Sequence, residues 1–235
     1  MSAWDHPLIK KGMTAQLATW RARIAAGEKS LGWKVGLGAP ATMQKLGLKG
    51  PLVGFLMQRA LLLSGSTVSL KGWLRPVAEP EICVRMARDL PGGASPDAAL
   101  AAAKEILPAI ELADLDPVPT VDNLDAVLAG DIFQRHVILC GNTRLGGATS
   151  GLTSRLIRRG VEAAATTDPE ALTGKLVDIV AHVANTLDAF GEKLSAGDVI
   201  ITGSITPPLM IEPDETEIGH ALDPIGAVSV KFTRE

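Results

Sequence analysis

Residues 75–86 read RPVAEPEICVRM and place two glutamates, Glu79 and Glu81, at the head of an alternating apolar run. Alternate side chains of a β-strand share a face, so both glutamates would point the same way as Cys83 and Arg85. The apolar residues at the even positions 80–86 would then form the opposite, core-facing side. The stretch therefore predicts a strand that carries a pair of carboxylates opposite the core.

A second acidic position strengthens a metal-binding interpretation of this pair. The Cα atoms of Glu79 and Glu81 would lie about 6.6 Å apart, close enough for both side chains to reach one cation. Residues 108–114 read PAIELAD, a buried strand with Glu111 in its middle, and a buried carboxylate is costly without a partner. Oxygen ligands suit magnesium or manganese. We predict a metal site at Glu79, Glu81 and Glu111; the alternative is a solvated strand face.

Lys34 is the second candidate functional residue. It lies in the glycine-bounded stretch GWKVGLG at 32–38, and no aspartate or glutamate occurs from residue 29 to residue 78. Such a lysine either extends its ammonium group to water or is held at a site. Residues 36–41 also match the pattern G-x-G-x-x-A of dinucleotide-binding loops, but the acidic residue required about 20 positions later is missing. We therefore reject a dinucleotide site.

Composition limits the class of protein. With 235 residues and 46% hydrophobic content, the chain is predicted to form one globular domain over 1–235, with a helical segment at about 1–30 and a β-rich core at 31–235. The net charge of −3 and 3% aromatic content argue against a surface that binds nucleic acid. No apolar run is long enough to span a membrane. Two cysteines make no disulfide framework, so a cytoplasmic location is expected.

Hydrophobic spacing, glycines and prolines predict alternating helices and strands in no repeating order. The predicted helices are one that Thr14 caps and Gly27 ends, one from Pro40, and others at 95–107, 122–129 and 172–191. The predicted strands are at 32–38, 61–63, 67–70, 79–88, 108–114, 136–140, 199–202 and 227–232, with a hairpin at 155–165. The four histidines show no metal-ligand spacing, and the one at 182 is expected to be structural.

Four stretches together resemble one known family. GWKVGLG at 32–38, EPEI at 79–82, PAIEL at 108–112 and AGDVIITGSIT at 196–206 follow in this order. The combination is similar to the 2-keto-4-pentenoate hydratases and the related 4-oxalocrotonate decarboxylases of the fumarylacetoacetate hydrolase superfamily. The similarity extends from about Gly32 to the C-terminus.

The resemblance implies an α+β fold, a mixed β-sandwich roll decorated by helices. It also implies a magnesium or manganese ion held by the three glutamates, and a homo-oligomer, as a dimer or a larger assembly. Lys34 would be catalytic and would contact the substrate, a small 2-oxo or 2-hydroxy acid. The further substrate-binding residues would be Gly36, Leu37, Leu52, Ser204 and Thr206.

The activity that the resemblance implies is a lyase of aromatic-compound catabolism, a metal-dependent hydratase of acids such as 2-hydroxypenta-2,4-dienoate. A 4-oxalocrotonate-type decarboxylase and a non-catalytic relative that binds metal and oxo acid are the alternatives. Leu52 stands in the segment PLVG where the family usually has an acid/base aspartate. We therefore expect weak hydration, a preserved ketonisation or decarboxylation, and an apolar pocket end at Leu52. The histidine–glutamate pair of the superfamily's carbon–carbon hydrolases has no counterpart, because no His-x-x-Glu occurs.

Overall fold

The computed structural model describes residues 2–235, within which five α-helices and fourteen strands occur. The helices are α1 (Pro7–Ala25), α2 (Pro40–Leu46), α3 (Pro96–Ala102), α4 (Leu124–Ala129) and α5 (Leu176–Ala189). The strands are β1 (Ser30–Gly36), β2 (Leu52–Met57), β3 (Leu61–Leu63), β4 (Ser66–Ser69), β5 (Pro76–Met86), β6 (Ala103–Asp114), β7 (Gln134–Leu139), β8 (Arg144–Leu145), β9 (Thr153–Arg158), β10 (Val161–Thr166), β11 (Val199–Ser204), β12 (Leu209–Met210), β13 (Glu217–Asp223) and β14 (Gly226–Thr233).

These strands form two sheets. The larger has the order β2-β1-β11-β5-β6-β7-β3, with β12 added to β5 and β8 added to β6. The smaller has the order β10-β9-β13-β14-β4. Both sheets are mixed. In the larger sheet β1 runs parallel to β11 and β5 antiparallel to β6, and in the smaller sheet β4 runs parallel to β14 and β13 antiparallel to β14.

The two sheets pack face to face, and helices cover the larger one. Ile110 and Leu112 of β6 share a buried cluster with Val228 and Val230 of β14. A second cluster joins residues of the larger sheet to side chains of α1, α3, α4 and α5. This arrangement confirms the predicted α+β sandwich decorated by helices.

The larger sheet also curls, and this overturns part of the prediction for β5. Ile82, Val84 and Met86 pack in the cluster with the helices, as predicted. The other face is equally buried, because Cys83 belongs to a cluster with side chains from β1, β2, β6, β7 and β11. Every residue of this cluster comes from the larger sheet, so the sheet covers this face itself by rolling around the cluster. The glutamates therefore lie on the inner face of a roll and not on an open face.

Predicted helix boundaries are wrong at three places, one of which is the start of α5, at Leu176 and not at residue 172. The first helix begins at Pro7, where proline favours a helix start, and Thr14 lies inside it with its hydroxyl donating to the Lys10 carbonyl. The helix predicted at 95–107 ends at Ala102, and β6 follows at once. Ser95 caps that helix as predicted by accepting from the Ala98 amide. Within residues 2–235, no helix is long and apolar enough to span a membrane.

Candidate active site

Pairing of β5 with β6 brings the three glutamates together. Glu79 lies directly opposite Glu111, and Glu81 lies opposite Ala109 on the same side of the pair. One carboxylate oxygen from each glutamate falls within 4.8 Å of the others. The acids predicted from two separate stretches of sequence thus form one cluster inside the roll.

Hydrogen bonding leaves free oxygen atoms in this cluster. Glu81 Oε2 accepts from the Gly203 amide at 2.6 Å, and Glu111 Oε1 accepts from Lys34 Nζ. The other oxygens, Glu81 Oε1 and Glu111 Oε2, are buried without any hydrogen-bond partner. Buried oxygens without partners are rare and require an explanation. Oxygen atoms fixed by one hydrogen bond and otherwise free fit a hard divalent cation.

Burial also opposes the charged form of these acids. Burial, followed by the facing Glu111 carboxylate, raises the pKa of Glu79 to about 7, although Lys34 acts in the other direction. Burial and the two neighbouring carboxylates hold the pKa of Glu81 well above its ordinary value. Burial likewise raises the pKa of Glu111, against the opposing effect of Lys34. Three acids of this kind are stabilised as carboxylates by a cation bound between them.

Lys34 of β1 lies beside the cluster and is 1% exposed. Its ammonium group donates to Glu111 Oε1 and, at 3.1 Å, to the Ile132 carbonyl. Burial by itself would lower the pKa of Lys34, but the carboxylates of Glu111, Glu79 and Asp131 outweigh it and raise the pKa. The side chain is therefore a buried cation that does not reach out to bulk water.

A cavity of about 270 Å³ opens over Lys34 and Glu79. Of the predicted substrate-binding residues, Gly36, Leu37, Ser204 and Thr206 line it. The Ser204 hydroxyl is buried and has no partner in the protein, so it is free to bind a ligand. Most of the remaining wall is apolar, including side chains of residues 115, 118, 132, 133, 172 and 179.

Leu52, the other predicted substrate-binding residue, does not line this cavity. It is 2% exposed, belongs to the main hydrophobic cluster, and borders a separate small crevice with Met13 and His182. Strand β2 pairs Leu52 with Gly36 of β1, and the leucine side chain packs into the core. Leu52 is thus a core residue.

No sequence pattern predicted two parts of the cavity wall. Lys45 of α2 lines the cavity as a second cation. The turn at residues 131–133 supplies Ile132 and Phe133, with Asp131 behind them next to Lys34. Asp131, Ile132 and Phe133 all have positive φ angles without being glycine, and no sequence pattern predicts such a turn. The one signal in the sequence was an acidic residue, Asp131, shortly before the buried strand β7.

Curated proteins similar to this chain act on related acids. A 2-hydroxyhexa-2,4-dienoate hydratase of Comamonas testosteroni is 29% identical, with 97% of this chain and 89% of that protein covered. A 4-oxalocrotonate decarboxylase of a Pseudomonas species is 25% identical, with 98% and 90% covered. A 2-keto-4-pentenoate hydratase of Dechloromonas aromatica is 28% identical, with 90% and 81% covered. No family model matches the chain.

Solved structures show the same fold. The 4-oxalocrotonate decarboxylase from Pseudomonas putida G7, complexed with magnesium and adipate, has a TM-score of 0.86 at 25% identity, with 97% of this chain and 87% of that one covered. The fumarylpyruvate hydrolase from Pseudomonas aeruginosa, in complex with Mn²⁺ and pyruvate, has a TM-score of 0.66 at 15% identity, with 86% and 89% covered. Sequence and fold together confirm the predicted resemblance: the chain is similar to 2-keto-4-pentenoate hydratases and 4-oxalocrotonate decarboxylases, and it shares its fold with the solved decarboxylase and fumarylpyruvate hydrolase structures.

Proposed function

We propose that the protein is a metal-dependent lyase that hydrates a 2-hydroxydienoate or 2-oxoenoate acid such as 2-hydroxypenta-2,4-dienoate. The observation that carries this proposal is the pair of buried, unpartnered oxygens on Glu81 and Glu111, which cluster with Glu79 where it lines the cavity beside Lys34. The similarity to hydratases of this substrate class supports it.

We propose Glu79, Glu81 and Glu111 as the ligands of a magnesium or manganese ion. Their ligand set is all oxygen, which these ions prefer. The related solved structures contain magnesium, calcium or Mn²⁺. A bound divalent cation would act as a Lewis acid on the oxygen atoms of a chelating 2-oxo acid.

The chain's own residues would orient the acid beside the metal ligands. Lys34 has three N–H groups, two of which bond to Glu111 and Ile132, so one remains for a substrate oxygen. Its positive charge would stabilise negative charge that develops on that oxygen. The free Ser204 hydroxyl and the Thr206 side chain would hold the substrate carboxylate. Gly36 and Leu37 would contact the acid from the cavity wall, where a side chain at Gly36 would collide with Ile132, since a Cβ there would lie 2.8 Å from Ile132 Cγ2.

A second candidate function, decarboxylation of a 4-oxalocrotonate-type acid, is supported by Lys45. Among the residues that the structure describes, Lys34 and Lys45 are the cations on the cavity wall. A dicarboxylic acid needs a second cation for its far carboxylate, whereas a pentadienoate does not. The related decarboxylase that binds adipate, itself a dicarboxylate, supports this reading.

We also propose a homo-oligomer, located in the cytoplasm. Large apolar side chains are exposed at Leu63 (74%), Leu74 (71%), Leu145 (80%) and Val161 (65%), and burying them against a second copy of the chain would favour association. Cys83 and Cys140 are both free thiols, as is usual in a reducing compartment. Light scattering on the purified protein would give the oligomeric mass, and a monomer at micromolar concentration would contradict the first proposal.

The proposed activity is tested by product analysis. The Mn²⁺-loaded protein is incubated separately with 2-hydroxypenta-2,4-dienoate and 4-oxalocrotonate, and products are followed by NMR and by carbon dioxide release. Hydration of the first acid supports the hydratase, and carbon dioxide from the second supports the decarboxylase. Failure to convert either acid, with Glu111→Gln indistinguishable from the wild type, would contradict both.

A further inference from the structure

We propose that Asp131 is a positioning residue that sets the direction of the Lys34 ammonium group through the turn at Asp131–Phe133. This inference rests on the proposed function, because it assigns Asp131 a role in orienting Lys34 toward a metal-chelating acid. Asp131 itself does not contact the cavity side where the substrate would bind.

The turn has an unusual backbone. Asp131, Ile132 and Phe133 have φ angles of 57°, 50° and 68°. A left-handed conformation is unfavourable for residues with side chains, and most of all for a β-branched one such as Ile132. Backbones of this kind persist only where surrounding contacts hold them.

The Asp131 side chain supplies those contacts. Its Oδ1 accepts a hydrogen bond of 2.8 Å from the Phe55 amide in β2 and one of 3.5 Å from Gln16 Nε2 in α1. Gly54 makes room, since a Cβ there would lie 2.8 Å from Asp131 Oδ1 and 2.9 Å from Lys34 Cγ. The aspartate thus ties the turn to a strand and a helix while lying against the Lys34 side chain.

The turn at Asp131–Phe133 fixes the orientation of the Lys34 ammonium group. The Ile132 carbonyl accepts from Lys34 Nζ at 3.1 Å, and Glu111 accepts a second N–H. With two of its three N–H groups held in this way, the ammonium group has one defined direction left for the third. If the turn relaxes, the carbonyl moves away and the lysine loses this orientation, while the glutamate cluster keeps its own contacts.

Substitutions separate this role from a general effect on folding. Asparagine keeps an oxygen that accepts from the Phe55 amide and tolerates a left-handed backbone, whereas alanine keeps neither advantage. Asp125→Ala is the matched control, because Asp125 lies in α4 and pairs with Lys11 at the surface. Lys34→Met and the double variant Lys34→Met/Asp131→Ala complete a cycle that isolates the coupling between the two residues.

The readout is the dissociation constant of oxalate, a small chelating dianion, measured by calorimetry at saturating Mn²⁺. We expect Asp131→Ala to raise the dissociation constant of oxalate about tenfold and Asp131→Asn to raise it by less than about threefold. Asp125→Ala should leave it unchanged. Lys34→Met should bind oxalate more weakly than the wild type but should still bind it through the metal. Adding Asp131→Ala to Lys34→Met should change the oxalate affinity by less than about twofold. The Mn²⁺ affinity of Asp131→Ala should equal that of the wild type.

Two results would overturn the inference alone, and a third would also overturn the proposed function. Equal oxalate affinity in the wild type and Asp131→Ala overturns the inference. An equal loss on adding Asp131→Ala to the wild type and to Lys34→Met also overturns it, since the aspartate would then act independently of the lysine. Failure of the Mn²⁺-loaded wild type to bind oxalate overturns the proposed function itself, together with this inference.

Discussion

Glu79 and Glu111 face each other directly across the antiparallel pair of β5 and β6, inside the roll. Like charges directly opposite on a sheet destabilise it. Both carboxyls also have raised pKa values because of burial. A divalent cation between them would turn this repulsion into coordination, so the pair that is unfavourable alone would become part of the proposed binding site.

Lys34→Met should lower kcat by roughly 10²-fold or more, because it removes the positive charge beside the reacting oxygen. With metal bound, Glu111 keeps a cationic partner, so the midpoint of thermal unfolding should remain close to that of the wild type. Steady-state kinetics and calorimetry at saturating Mn²⁺ measure both quantities. Lys45→Met serves as the control for losing a lysine at the cavity wall, and an unaltered kcat in Lys34→Met would show that the buried ammonium has no catalytic role.

Lys45→Ala should raise KM for 4-oxalocrotonate by roughly threefold to tenfold, since an exposed lysine contributes modestly to binding a carboxylate. KM for 2-hydroxypenta-2,4-dienoate should stay the same, because that acid has no second carboxylate. Parallel kinetics with both acids measure the difference. Equal changes for the two acids would mean that Lys45 does not read the far end of the substrate.

Leu52→Asp should destabilise the protein by about 3 kcal/mol or more without raising hydratase turnover. The leucine is 2% exposed in the core and lies outside the cavity, so the new carboxylate would be buried without reaching the substrate. Leu52→Met, which conserves volume, should cost less than about 1.5 kcal/mol. Urea unfolding gives both values, and a faster hydration by folded Leu52→Asp would restore Leu52 to the site.

His220 should make the protein less stable in acid. It is fully buried, with its ring nitrogens against Ser154 Oγ and the Ala109 carbonyl, and burial lowers its pKa from 6.5 to about 4. Between these pH values the unfolded chain binds a proton that the folded protein does not, so the free energy of unfolding falls as pH falls. The loss reaches about 3 kcal/mol below pH 4.

His220→Gln removes this proton uptake. Its free energy of unfolding, measured with urea in EDTA, should therefore fall less than that of the wild type between about pH 7.5 and pH 4.5. Identical pH dependence in the two proteins would show that another group accounts for acid sensitivity.

Much of the site was predictable because it depends on local patterns. The two-residue spacing of Glu79 and Glu81, and a lone acid within an apolar strand at Glu111, are properties of single strands. The prediction of the helix at 95–107 failed where tertiary pairing overrides helix propensity, since residues 103–107 pair with β5. Strand β13 was not predicted, because its sequence EIGHALD alternates poorly and its pairing with β9 and β14 decides its structure.

The parts of the site that sequence could not predict are those that depend on distant contacts. Asp131 reaches Lys34 only because β2 and α1 hold a left-handed turn, and the curl that buries both faces of β5 involves six strands. The burial of Leu52 in the core, away from the cavity, has a similar cause. The direction of its side chain is set by pairing with β1 and packing in the core.

The most direct measurement is Mn²⁺ binding followed by electron paramagnetic resonance during titration of metal-free protein. We predict one tightly bound ion per chain in the wild type and in Glu105→Gln, which removes an acid of β6 that pairs with Arg85 outside the cluster. Glu79→Gln, Glu81→Gln and Glu111→Gln should each weaken binding by about tenfold or more. Unchanged Mn²⁺ affinity in the three cluster variants, or no bound ion in the wild type, would contradict a metal site at these glutamates.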